Sequence, residues 1–186
     1  ADGHGHGGID PRLLHPDVEL MRGWPDGYPL NLDATFDAVA WVGQHAKAGA
    51  RRAHLAHTGS FRVLDFLING VSVGEFGRLV MCASELGVRS IFASGDEALA
   101  AEARALAPGI ETVAVKRGLR REAGDDLSAE EYSRWNEAAV HAAPERSREM
   151  IFEGARRAAR RAAEEDFGLV PIAPPYEKVV KLRPEV

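Results

Sequence analysis

The sequence predicts an α/β protein with a mostly parallel central sheet, helices on both faces, a β-hairpin insertion and a helical C-terminal part. Between residues 36 and 115, short apolar runs alternate with helical patterns. Such strand, helix, strand order implies parallel strands joined by right-handed crossovers. Asn69-Gly70, between two β-type runs, is a two-residue hairpin signal. After Gly124 the sequence changes to alanine- and arginine-rich helical patterns, which predict the helical C-terminal part.

The first strand of the predicted sheet is the apolar run 36–42, which we interpret as buried. Ahead of it, residues 18–21 predict a short strand. Residues 24–29 contain two prolines and a glycine and predict a loop. Gly43 follows the first strand and loosens the backbone next to His45. His45 is therefore expected at the carboxyl end of a buried strand, where α/β proteins place their chemistry.

The later elements follow from turn residues, caps and periodicity. Residues 46–60 are small and polar and predict a loop that holds His54 and His57. Asp96 is placed to cap a helix, and Ser128 opens a capping box with Glu131. The predicted elements, in order, are hairpin strands 62–68 and 71–73, a helix from Gly74–Gly77 to about 86, strand 88–94, helix 96–106, strand 112–115, a helix from 128 to Pro144, helix 144–165 and strand 176–182.

Length, charge and cysteine content limit the class of protein. A chain of 186 residues is long enough for a proper core, and we predict an α/β metal-site core over 1–124 followed by a helical segment with a terminal strand over 125–186. The formal net charge of −5 gives no sign of a nucleic-acid partner. No apolar run is long enough to cross a bilayer. The single cysteine, Cys82, fits a reducing compartment, so we expect a cytoplasmic protein.

Four groups sit at predicted strand ends or turn-to-helix junctions: His4 with Asp2, His45, His57 and Glu75. Two imidazoles with carboxylates suit a hydrolytic zinc site, in which the metal acidifies a bound water or polarises a carbonyl. Other interpretations stay open at this point. The Gly/His-rich start is equally typical of a terminal tail, and Glu75 at a helix start also complements the helix dipole.

Four motifs resemble the D-aminopeptidase family of zinc peptidases in order and spacing. They are Asp2-Gly3-His4-Gly5, Gly43-Gln44-His45-Ala46-Lys47-Ala48-Gly49, Ala56-His57-Thr58 and Asn69-Gly70-Val71-Ser72-Val73-Gly74-Glu75-Phe76-Gly77. The resemblance implies that His4 and His45 bind one zinc and that Glu75 is a ligand in the same binuclear centre. It also implies that His57 is the catalytic residue, close to the metal without binding it.

The chain departs from the family pattern at both ends. Family members open with a strand that carries Asp-x-Glu-Gly, whose carboxylates bind and bridge the metals, whereas this sequence starts at the turn that follows. We therefore expect a family core without that strand and without part of the C-terminal region. His4, His45 and Glu75 are then expected to hold one zinc, or two if the bridging carboxylates come from elsewhere.

The resemblance implies a zinc-dependent aminopeptidase or amidase that releases N-terminal residues, including D-amino acids, from short peptides or aminoacyl amides. Lys47 and Lys116 are candidates for binding a substrate carboxylate, although a solvated lysine is the simpler interpretation of each. Family members form rings, so a homo-oligomer is expected. The alternative is a catalytically silent α/β oligomeric or binding module. A phosphate binder using Gly5 to Gly8 is disfavoured, because these glycines follow no predicted strand.

Overall fold

The computed structural model describes residues 1–3, 8–23 and 27–185, and the chain divides into two compact units at residue 32. In the first unit, a 3₁₀ turn at Pro11–Leu13 is capped by Asp10, whose side chain accepts from the Arg12 N–H. The predicted strand at 18–21 is wrong: these residues are irregular, and the bridge that the described residues show nearby joins Asp2 and Arg22. The predicted loop 24–29 lies partly outside the described residues. The predicted division at residue 124 stays a prediction.

The second unit contains a four-stranded sheet in the order β1-β4-β5-β6. The strands β1, β4 and β5 are parallel, and β6 joins β5 in the antiparallel direction. The bounds are β1 Ala38–Gln44, β2 Val63–Ile68, β3 Val71–Ser72, α1 Glu75–Glu85, β4 Arg89–Asp96, α2 Glu97–Leu106, β5 Glu111–Gly118, α3 Ala129–Trp135, β6 Ala139–His141, α4 Pro144–Glu164 and β7 Lys178–Leu182. The predicted mostly parallel sheet is confirmed.

Helices cover both faces of this sheet. Successive side chains of the central strand β4 point to opposite faces, so each face presents apolar residues to a helix. Phe92 of β4 and Val113 of β5 are buried in a cluster with Ala158 of α4. Ala93, the next residue of β4, belongs to the larger core that includes Phe76 of α1. The alternation follows from the two-residue repeat of a strand. Among the described residues, no helix combines the length and apolarity needed to cross a membrane.

The α4 helix approaches the sheet closely at Gly154, which is buried. A Cβ atom at this position would lie 2.4 Å from Val113 Cγ2 and 2.9 Å from Phe92 Cε2. Alanine normally favours a helix over glycine by about 1 kcal/mol. Here overpacking should outweigh that gain, so Gly154→Ala is expected to lower the free energy of unfolding by about 1–3 kcal/mol in urea titrations. A rise in stability would contradict the close packing. Ala159→Gly, on the exposed face, should cost only the helix propensity.

The hairpin forms a second, antiparallel sheet in the order β3-β2-β7. Its turn residues Asn69 and Gly70 have φ angles of 49° and 76°, as a type I′ turn requires. The predicted hairpin is therefore confirmed. The last strand is present too, as β7, and it pairs with β2 of the hairpin.

Two expectations about the central sheet are wrong. The helix that opens at Ser128 ends at Trp135 instead of Pro144, because the chain turns there to pair β6 with the edge of β5. Asn136 is buried at this turn, and its side-chain amide donates to Ala56 O. The first strand, β1, is not fully buried. It lies at the edge of the sheet, and Val42 is 62% exposed.

Candidate metal centre

Three side chains from separate segments meet beside the carboxyl end of β1. His45 directly follows β1, His57 lies in the loop before β2, and Glu75 is the first residue of α1. The ligand atoms of these residues all lie within 4.8 Å of one another. Glu75 Oε2 is 3.6 Å from His45 Nε2, and Glu75 Oε1 is 3.3 Å from His57 Nε2. The two imidazole rings stack with centroids 4.1 Å apart. The structure thus brings three of the four predicted site groups together.

Backbone carbonyls orient both imidazoles. His45 Nδ1 lies 3.1 Å from Ala46 O, and His57 Nδ1 lies 2.8 Å from Leu55 O. A carbonyl oxygen only accepts, so each Nδ1 must carry the proton in these bonds. Each Nε2 then points towards Glu75, with its lone pair available when the ring is neutral. Metal-binding histidines commonly donate their other N–H to a carbonyl in this way.

Hydrogen bonds from outside the cluster hold the loops that carry the two histidines. The Ala48 N–H donates to Thr58 Oγ1 over 3.1 Å, which ties the segment after His45 to the segment after His57. The Gly49 N–H donates to the Tyr132 hydroxyl over 2.9 Å. These bonds fix backbone that has no regular structure. The two loops are therefore held to each other through Thr58 and to α3 through Tyr132.

The start of α1 fixes the carboxylate. Gly74 is the N-cap residue and supplies no side-chain cap, and Glu75 follows it in the first turn. Glu75 Oε1 accepts from the Gly59 N–H over 2.7 Å. The helix dipole also favours a negative charge at this position. Glu75 is thus held as a carboxylate that faces both imidazoles.

Charge pairing inside the cluster shifts two pKa values. Burial alone would raise the pKa of Glu75, but the interactions with His45, the Gly59 N–H and His57 outweigh it and lower this pKa to about 2. Burial alone would lower the pKa of His45, yet Glu75 and Ala46 O raise it overall. Without a metal, the cluster therefore favours a protonated histidine beside an ionised carboxylate. A bound cation would take the place of that proton.

These shifts predict how the stability of the metal-free chain depends on pH. The Glu75 contribution is present above the ordinary carboxyl pKa of 4.5 and is lost as pH falls towards 2. The His45 contribution is complete below the ordinary histidine pKa of 6.5 and is lost as pH rises through its raised value. In EDTA, the difference in urea midpoint between the unaltered chain and Glu75→Gln should be largest between pH 4.5 and 6.5, where both contributions are present. A difference that does not change with pH would contradict the pairing.

The other predicted site residues are not members of this cluster or lie outside the described residues. His4 is outside the described residues, so its assignment as a zinc ligand stays a prediction. The Lys47 ammonium donates to Ser72 Oγ over 2.6 Å and to Ser72 O over 3.3 Å. Lys116 is half-buried near the end of β5, opposite His141 of β6. Substrate binding by Lys47 and Lys116 also stays a prediction.

Sequence reasoning did not predict the contacts that two carboxylates make with backbone N–H groups of the loops around the histidines and the N-cap of α1. Asp96 is fully buried and accepts from the Leu99 N–H, as predicted for a cap, and also from the His54 N–H. Glu102 of α2 accepts from the backbone N–H groups of Lys47 and Gly74. Asp96 had a local capping signal, but Glu102 lies in an alanine-rich helix that contains no motif. Only the folded chain shows which backbone N–H groups these carboxylates accept from.

The central sheet is mostly parallel, and imidazole and carboxylate groups meet beside the end of one of its strands. The protein is therefore an α/β protein with a candidate metal centre. More particularly, the chain belongs to the D-aminopeptidase family, whose profile matches residues 1–185. The family resemblance predicted from the motifs is therefore confirmed.

Two comparisons, both with D-aminopeptidases from Bacillus subtilis, show how much of such a protein the chain represents. A D-aminopeptidase is 34% identical over 117 residues, which cover 62% of this chain and 42% of the relative. The solved structure of the Zn-dependent D-aminopeptidase DppA, described as a self-compartmentalizing protease, matches with a TM-score of 0.71 at 26% identity. That match covers 88% of this chain and 54% of DppA. The chain spans about half the length of these relatives.

Proposed function

We propose that the chain is the metal-site core of a zinc-dependent aminopeptidase that releases N-terminal residues, including D-amino acids, from short peptides or aminoacyl amides. The observation that carries the proposal is the meeting of His45, His57 and Glu75 in a chain of the D-aminopeptidase family. Imidazole nitrogen and carboxylate oxygen are donors that zinc accepts in catalytic sites. The donor set therefore fits the metal named for the solved relative.

In this proposal His45 and Glu75 hold the metal, and His57 acts as base or nucleophile. When bound, zinc supplies Lewis acidity towards a scissile carbonyl. The bond from His57 Nδ1 to Leu55 O would make Nε2, which faces Glu75, the atom that takes up a proton when the ring is neutral. Glu75 would stabilise the imidazolium that forms, since its Oε1 lies 3.3 Å from His57 Nε2.

We further propose that the chain works as a homo-oligomer in the cytoplasm. The solved relative is described as self-compartmentalizing, which supports an assembly of copies. The single cysteine, Cys82, has its pKa raised mainly by burial, so it is a poor candidate for disulfide chemistry and suits a reducing compartment.

A substrate screen tests the activity. Purified chain loaded with zinc is incubated with matched D- and L-aminoacyl amides and with dipeptides, and the released amines are quantified. Release that stops with a chelator and returns with zinc would support the proposal. A folded, zinc-binding chain that releases nothing would contradict it and would fit the alternative of a silent module.

A further inference from the structure

The side chain of Glu102 joins two segments that carry proposed metal ligands. Glu102 lies on α2, away from the motifs that identify the family. Its Oε2 accepts from the Lys47 N–H over 2.9 Å, and its Oε1 accepts from the Gly74 N–H over 3.2 Å. One carboxylate therefore satisfies backbone donors from the segment after β1 and from the N-cap of α1.

These two donors are close in the chain to the ligands themselves. Lys47 is two residues after His45, and Gly74 immediately precedes Glu75. The two segments also touch: a Cβ atom at position 74 would lie 2.9 Å from Lys47 Cα. Such contact prevents the two segments from moving closer together, so the bonds to Glu102 are what keep them from moving apart. The spacing of His45 and Glu75 is thus connected directly to the bonds that Glu102 accepts.

A second link joins the same two stretches of chain. The Lys47 ammonium donates to Ser72 Oγ, and the Ser72 hydroxyl donates to Asp65 Oδ1 over 2.5 Å. This link runs through flexible side-chain atoms and ends on the hairpin. Glu102, in contrast, binds both backbones at once from a packed helix. It is the more rigid of the two links.

We propose that Glu102 is a positioning residue that sets the separation of His45 and Glu75 and so tunes zinc affinity, an inference that rests on the proposed function. A carboxylate can accept at both oxygens, as the two backbone N–H groups require. A glutamine at this position keeps the size but has one accepting oxygen, and its NH₂ group would face the other N–H donor. The segments would then separate, and the ligands with them.

The test compares the unaltered chain with Glu102→Gln and with Glu97→Gln. Glu97 is an exposed acid on the same helix, which makes it a matched control. The zinc dissociation constant is measured by competition with a chromophoric chelator, and the Co²⁺-substituted proteins are compared by visible absorption. Partners outside the ligand set commonly contribute 10–100-fold to metal affinity. Glu102→Gln should weaken zinc binding by about tenfold and alter the Co²⁺ spectrum. Glu97→Gln should change neither.

A further variant separates positioning from general loss of stability. Val113→Ala removes core volume beside α4, away from the metal cluster, and should lower the urea midpoint at least as much as Glu102→Gln. Zinc affinity and a Co²⁺ spectrum that stay unchanged in Val113→Ala while changing in Glu102→Gln support the inference. Equal changes in both, or unchanged zinc binding in Glu102→Gln, overturn it. If the unaltered chain binds no zinc, the proposed function fails first and the inference with it.

Discussion

Replacing Glu75 by glutamine is expected to lower the zinc affinity of the chain by more than about 100-fold. This exceeds the usual effect of losing a residue that contacts a metal ligand without binding the metal itself. The carboxylate is the charged donor of the cluster and lies within 3.6 Å of both imidazole Nε2 atoms. The neutral amide binds a divalent cation far less well, although its oxygen can still accept from the Gly59 N–H. Zinc content after dialysis and chelator competition measure the effect.

A matched control separates metal binding from a helix-dipole effect. Glu97 occupies the first turn of α2, just as Glu75 occupies the first turn of α1. Glu97→Gln removes an equivalent dipole interaction, so it should cost a small amount of stability and no zinc. If both variants keep zinc and lose the same stability, Glu75 only complements the helix dipole, and the metal centre is refuted.

Replacing His57 by glutamine is expected to lower kcat by about 10²–10⁴-fold while zinc stays bound, which is the usual contribution of a positioned acid or base. The imidazole is oriented by Leu55 O and Glu75, as proton transfer at Nε2 requires. Glutamine cannot take up a proton near neutral pH. Stopped assays on the best aminoacyl amide, together with zinc content per chain, measure both parts of the prediction.

The same variant also decides between two roles for His57. The geometry permits His57 to act as a third metal donor, since its ligand atom lies in the same 4.8 Å cluster. Loss of zinc together with activity would assign it to metal binding and contradict the separate catalytic role. His15→Gln, at an exposed histidine of the first unit, should change neither quantity.

The elements with local signals could be predicted from the sequence. Asp96 caps α2, and Ser128 forms a capping box with Glu131, because these bonds involve residues only three positions apart. The strand β6 was missed because its three residues become a strand only by pairing with β5. The edge position of β1 was missed for a similar reason. Apolar composition predicts a strand but not its place in the order of the sheet.

The candidate site, like the fold, could be predicted only in part from the sequence. The positions of His45, His57 and Glu75 at element ends marked them as candidates and the resemblance implied their roles, and the structure brings their side chains together. No sequence signal indicated Glu102. Its importance arises because the backbones at Lys47 and Gly74 approach each other, and they are 27 positions apart in the chain. Contacts of this kind depend on the folded arrangement and not on local pattern.

The most direct test of the proposed metal centre is zinc content per chain, measured on protein purified without an affinity tag, for the unaltered chain and for His45→Ala. We expect near-stoichiometric zinc in the unaltered chain and its loss in the variant, with both proteins folded. If neither protein carries stoichiometric zinc after equilibration with the metal, the chain does not form the proposed centre, and the hydrolase proposal is contradicted.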